Sequence, residues 1–458
     1  MKTFYISLCF LFSGTLLAQF PNWGWGPAIN TSLAGNTLTC TAYDPIQAVV
    51  ETTTVSSVSS YINNEGIVAW LTTGGNVGGI TYDINQQNWE SAIIGSNGNT
   101  IYNNDGVIAW LTTGGNVGGA VYDPGQQNWE YAIIGSNGSS VSNNDGVIAW
   151  LTTGGNIGGA VYDPAQQNWE YAIVGSNGST FFNTDGVISW QTTGGNVGGA
   201  VYNPGLQNWE YSILGSNAST VLNNSGVIAW LTTGGNVGGA VYDPVQENWE
   251  YTILGSNATG VSITDGTIFW TTTSGTNNSG FNKNTQNWTS GYNTDLYCKL
   301  FVSSSGGMAP LITYFWCLTY GANSYSYACG DGHTINRRWA FKQYTNPGNY
   351  NPVLTIFNSS NNSACDENIT VLTGIEQISN LEGEVYPNPA SNILFVDLDQ
   401  KGVVEFIIYE VTGKVVKSNH LMMDQTENFI DISGLTPGIY FIDFYTSTDL
   451  LRRKIIIQ

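Results

Sequence analysis

The segment GVIAWLTTGGN stands unchanged at 106–116, 146–156 and 226–236. Trp70, Trp110, Trp150, Trp190, Trp230 and Trp270 fall forty residues apart, and Trp89, Trp129, Trp169, Trp209, Trp249 and Trp288 form a second column. Tyr43, Tyr82, Tyr122, Tyr162, Tyr202, Tyr242 and Phe281 form a third. A chain repeating at so short a period must stack copies of one supersecondary unit, because a single copy cannot bury its own apolar faces.

Within a copy the pattern is that of strands. Val107–Thr113 is a β-branched and aromatic run bounded by Gly106 and Gly114. Gly119–Tyr122 stops at Asp123-Pro124, and Trp129–Ile134 stops at Gly135-Ser136-Asn137-Gly138. Ser139–Ser142 ends at Asn143-Asn144-Asp145-Gly146, residues that tolerate the positive φ of tight hairpins. Four antiparallel strands in forty residues have the size of one propeller blade. The strands are apolar on both faces, as befits small sheets sandwiched between neighbours. An all-β chain is therefore expected, with a six- or seven-bladed β-propeller over 21–297. A β-solenoid is the alternative, although it would not need hairpin turns inside every coil.

The pattern DG-VIAWLTTGG followed by VYDPGQQNW, with six residues between Tyr122 and Trp129, resembles the kelch repeat. The unit is shorter than most kelch repeats and lacks their arginine before the first strand. Further on, PLITYF (310–315), YSYACGDG (325–332), PGNYNPVLTIFN (347–358) and ENITV (367–371) resemble a PKD domain, which implies an immunoglobulin-like β-sandwich over 299–372. Ala328-Cys329 stands where that family has an aromatic, and a Cys317–Cys329 bridge is a conceivable replacement. The pieces VYPNPASNILFVDL (385–398), IIYEVTGKVV (407–416), IDISGLTPGIYFIDF (430–444) and KIIIQ (454–458) resemble the C-terminal sorting domain (type A) of the type IX secretion system of Bacteroidota. This resemblance implies a second small β-sandwich over 381–458, reached by a linker at 373–380. It also implies passage across the outer membrane by the type IX machinery, then release or attachment to surface lipopolysaccharide.

The start of the chain agrees with export. Lys2, the apolar run Phe4–Ala18 and a small residue before Gln19 read as a signal peptide over 1–18. Cys40, Cys298, Cys317, Cys329 and Cys365 fit no metal-ligand spacing, and their compartment permits disulfides whose pairing spacing does not reveal. The protein is thus expected to be secreted or on the outer-membrane surface after periplasmic export. The formal net charge is −21, and residues 21–282 hold 17 Asp or Glu with no Lys, Arg or His. A surface without cations cannot release counterions from a phosphate backbone, which excludes nucleic acid and anionic lipid as its partners.

No His precedes His333, so a His-based triad or His metal site is excluded from the repeats. Two carboxylate columns remain as chemical candidates. Glu65, Asp105, Asp145, Asp185 and Asp265 form one, broken by Ser225; Asp44, Asp83, Asp123, Asp163 and Asp243 form the other, broken by Asn203. Glycosidase chemistry needs two carboxylates in unlike environments, which symmetry opposes; turn formation is the simpler role, with bound calcium as a lesser alternative and no other cofactor expected. The Trp columns read as packing between blades. Ligand contacts are expected where copies differ, which nominates Tyr102, Phe181 and Phe182, with Glu247 as a repeat-breaking carboxylate. The leading expectation is a monomeric surface binding or adhesion protein that recognises a glycan or protein and lacks catalytic residues. A polysaccharide-degrading enzyme and a non-binding structural protein are the alternatives.

Overall fold

Each forty-residue unit folds as one antiparallel four-stranded sheet. In one copy the strands are Gly138–Asn144, Val147–Thr152, Ile157–Asp163 and Asn168–Gly175, paired in chain order. The computed structural model describes residues 27–372 except 45, 65 and 85, and 383–458 except 399–401, 411–413, 424–427 and 446–449. The expected signal peptide (1–18), the expected linker (373–380) and Glu65 lie outside the described residues. Among the described residues the elements are strands and no helix is present. The described residues form two compact units, divided between Val371 and Leu372.

The first unit begins with seven sheets in series, one of three strands (Ile29–Val55) and six of four strands ending at Ser290. The fold class is all-β with propeller-type blades, and seven such sheets follow one another among the described residues. Pairing is antiparallel and closed within each unit, which removes the parallel coils of a solenoid.

Flat indoles explain how the sheets stack. Trp150 lies across Gly158 of its own sheet and Gly135 of the preceding one; a Cβ built on these glycines would meet the ring at 2.0 and 2.6 Å. Trp169, from the fourth strand, lies over Gly119 of the preceding sheet, and its Nε1–H donates to the Glu130 carbonyl at 3.3 Å. An indole held between two glycine faces needs two van der Waals contacts, about 7 Å in all. Sheets separated by ordinary side chains stand roughly 10 Å apart.

Two polar ladders cross the same gaps. Asn103, Asn143, Asn183 and Asn223 donate Nδ2–H to the carbonyls of Ile67, Val107, Val147 and Val187 in the preceding sheet, at 2.7–2.9 Å. The Tyr122, Tyr162 and Tyr202 hydroxyls donate to Asp83, Asp123 and Asp163 of the preceding sheet at 2.7–2.8 Å. Burial, reinforced by Asp123, raises the Tyr162 hydroxyl well above its ordinary pKa. At Tyr242 the partner is the neutral amide Asn203, which donates its Nδ2–H at 3.0 Å; that hydroxyl is pushed up to about 12 by burial, with the Asn203 hydrogen bond acting in the opposite sense. Tyr162→Phe is therefore expected to cost about 1.5–3 kcal/mol and Tyr242→Phe about 1 kcal/mol, since only the former removes a hydrogen bond to a charged group. Denaturant unfolding of the two variants measures the difference, and equal losses would contradict it.

Three small sheets follow the blades within the same unit. They pack around Phe315, Tyr327, Cys329, Ile335, Leu354 and Ile356. The disulfide joins Cys298 to Cys365, whereas Cys317 and Cys329 are free and buried. The Cys317–Cys329 bridge is thus corrected: Cys317 lies in the core beside the Arg338 carbonyl, and stacked Phe315 and Tyr327 rings supply the packing.

The long strand Leu311–Tyr320 of this module runs along the blade tips. Tyr314 donates to Asp123 at 2.6 Å, beside the Tyr162 hydroxyl on the same carboxylate. Trp316 packs on Tyr202, and Tyr320 on Phe281, with ring centroids 5.6 and 5.5 Å apart. One step along the blades thus corresponds to two strand residues, again about 7 Å.

The second unit is a pair of sheets, one of three strands and one of four, around Leu394, Val404, Ile408, Ile442, Phe444 and Ile455. Its buried Asp443 receives two hydrogen bonds from Arg452, each 2.6 Å.

Candidate functional site

The carboxylate columns sit in the turns at the tip face of the blades. In one column each acid closes its own turn, and Asp44, Asp83, Asp123 and Asp163 also join two sheets by accepting a Tyr hydroxyl from the next copy, a partner that Phe281 does not offer Asp243. Asp123 Oδ1 accepts the Gly125 N–H at 2.8 Å while Oδ2 accepts the Tyr162 hydroxyl. Asp163 repeats this with Ala165 and Tyr202. The other column occupies left-handed backbone, with Asp105, Asp145, Asp185, Ser225 and Asp265 at φ of 48–54°.

These acids meet the following module. Arg338 is buried, its Nη2–H donating to the Cys317 carbonyl at 2.9 Å, and its guanidinium fills the space beside Gly186. Burial alone would lower its pKa; Cys317, Tyr325, Asp145 and Asp185 together raise it instead. Burial also pushes the Asp185 carboxyl above its usual value, Asp145 adds to this, and Arg338 opposes both. Asp265 accepts from Asn323 at 3.0 Å and from Ser359. Among the described residues no three of His, Cys, Asp or Glu converge on a metal-sized site. The two columns thus serve turns, inter-sheet bonds and module docking.

The nominated contacts are scattered. Tyr102 and Phe181 are half-buried and pack against the main blade core. Phe182 is exposed on the next position of its strand. Glu247 stands in a turn at φ 57°, its carboxylate 3.7 Å from Lys299 Nζ. The structure brings none of these four into one cleft. Trp110, Trp150, Trp190 and Trp230 are each 1% exposed between sheets, and the second Trp column is buried from Trp129 to Trp249.

The concave features lie at the opposite ends of the strands. One groove of about 560 Å³ opens between two sheets and is lined by Ser136, Asn137, Trp150, Thr153, Asn156 and Tyr171. A second, of about 540 Å³, has the equivalent residues forty positions earlier, from Ser96 to Tyr131. Neither contains a charged residue. Beside them the fourth strands expose Tyr131, Tyr171, Tyr211 and Tyr251 at 49–54%. Two residues on, Ile133, Ile173, Ile213 and Ile253 are similarly exposed. This face is made of what the copies share and not of what differs among them; its signal is the alternation in NWEYAIIG, which puts Trp129, Tyr131 and Ile133 on one face of the strand.

Residues 384–458 match the family described as secretion system C-terminal sorting domain. No curated protein matches the chain. Prp20p from Saccharomyces cerevisiae is similar at 8% identity and a TM-score of 0.26, over 53% of this chain and 77% of that one. BamB from Moraxella catarrhalis is similar at 12% identity and a TM-score of 0.23, over 54% and 77%. Similarities at these scores carry no argument about partners. The sorting domain implies export to the cell surface or secretion through the type IX machinery. Among the described residues no helix is long and apolar enough to cross a membrane.

Proposed function

We propose that this chain is an exported surface binding or adhesion protein whose repeat region recognises a glycan or protein ligand. In this reading residues 21–297 are a kelch-like recognition region, 299–372 a PKD-like module seated on its blade tips, and 381–458 the export address. The observation that carries it is the recurring, half-exposed Tyr and Ile face bordered by uncharged grooves, on a chain ending in a sorting domain. An exposed apolar row of this extent marks an interaction surface. The enzyme alternative draws less support, because the described carboxylates of both columns are engaged in turns and docking. The test is retention of the purified chain on arrays of polysaccharides and extracellular proteins, with release of reducing ends followed in parallel. Selective retention without hydrolysis is expected. Hydrolysis would transfer the assignment to the enzyme, and neither outcome would leave the structural alternative.

A further inference from the structure

The two grooves are successive members of a series. The same residue types recur in the next two gaps, from Ser176 to Tyr211 and from Ser216 to Tyr251. Each groove combines an aromatic wall with neutral hydroxyl and amide groups, a lining suited to polar ligands that carry apolar ring faces. A second observation concerns the indoles. The Nε1–H groups of Trp110, Trp150, Trp190 and Trp230 are buried and have no hydrogen-bond partner, and that of Trp150 lies against Gly135 in the groove lining. These donors recur at four successive steps but are enclosed between glycine faces, so the ligand-facing part of each groove is its exposed Tyr wall with the Thr and Asn side chains beside it.

Charge narrows the ligand. Glu90, Glu130, Glu170, Glu210 and Glu250 stand on the same fourth strands, and no cation lies among the blades before Lys283. A polyanion would be repelled. Identity among the copies narrows it further. A globular protein with one unique face can satisfy one copy only, whereas a polymer of identical units gains from each. Resting on the binding reading above, we infer that the groove series binds a single uncharged polysaccharide chain laid across the blades, with sugar rings against Tyr131, Tyr171, Tyr211 and Tyr251 and hydroxyls bonded to the Thr and Asn side chains.

The experiment uses the full chain in affinity electrophoresis against laminarin, xylan and galactomannan, with alginate and heparin as polyanions. It is followed by titration with oligosaccharides of the retained polymer, read by tryptophan fluorescence. Retention is expected on at least one uncharged polymer and on neither polyanion. Affinity is expected to climb by roughly a hundredfold or more as the oligosaccharide lengthens from one groove to four. Tyr171→Ala is expected to weaken binding about five- to tenfold, and Tyr131→Ala/Tyr171→Ala/Tyr211→Ala by more than about a hundredfold. These side chains are half-exposed, and an unchanged circular dichroism spectrum verifies that the variants fold. Length-independent affinity, undiminished retention of the triple variant, or retention on polyanions alone overturns the inference. Capture of a folded protein with no polysaccharide retained overturns it too but leaves the binding reading intact; retention on nothing removes both.

Discussion

Gly158→Val is expected to destabilise the first unit by about 3 kcal/mol or more, at the upper end of what overpacking costs. The added Cβ would stand 2.0 Å from the Trp150 ring, and that ring cannot retreat because Gly135 of the preceding sheet closes its other side. Relief requires separating two sheets, which also breaks the Asn143 and Tyr162 bonds across the same gap. Gly154→Ala is the matched control: its Cβ would meet only Thr152 Oγ1, at 4.0 Å, so a change within about 0.5 kcal/mol is expected. Denaturant unfolding of both variants decides the matter, and equal stabilities would show that the indoles are not clamped.

Arg338→Met is expected to cost a comparable amount, about 3 kcal/mol at neutral pH, because it strips a buried cation from beside two half-buried carboxylates. The pH dependence has a definite sign. The Asp185 carboxyl already titrates above its unfolded value through burial and Asp145, with Arg338 in opposition. Without Arg338 the folded pKa climbs further. The folded state then favours the protonated acid, so stability is greatest below the unfolded pKa and falls as pH rises through the folded one. The variant should therefore recover stability on acidification from neutral pH towards the ordinary carboxylate range, and Arg338→Met/Asp185→Asn should recover part of it at neutral pH. A variant whose deficit is the same at every pH would rule out this electrostatic account.

Much of the fold was legible because the repeat prints its own alignment. Four strands per unit, the hairpin turns at Asn-Asp-Gly and Asp-Pro, and the stacking role of the Trp columns all follow from comparing copies, whereas Asn143 and Asn144, read as turn, continue the strand Gly138–Asn144. The blade number stays open between six and seven because the first sheet has three strands among the described residues and its Tyr43 has no tryptophan seven residues on. The site was less legible. Tyr102, Phe182 and Glu247 stood out by differing among copies, yet the structure leaves them apart, and Glu247 faces Lys299. The Asn ladder was hidden inside a motif that already read as a turn. Docking of the second module could not be read at all: Tyr314 and Asp123 are 191 positions apart, and no periodicity links Arg338 to a forty-residue repeat. The Cys298–Cys365 pairing was equally silent, since spacing carries no information on connectivity.

The strand Leu311–Tyr320 acts as a ruler laid against the array. Its contacts run from Asp123 to Phe281, so the module gauges the later copies and leaves the earliest ones unmeasured. Near-identical coding units invite unequal recombination, and the N-terminal stretch is where whole units can be gained or lost without disturbing the gauge. Reach along a ligand can then evolve by integer steps, at one end of the molecule, while the fitted end stays constant.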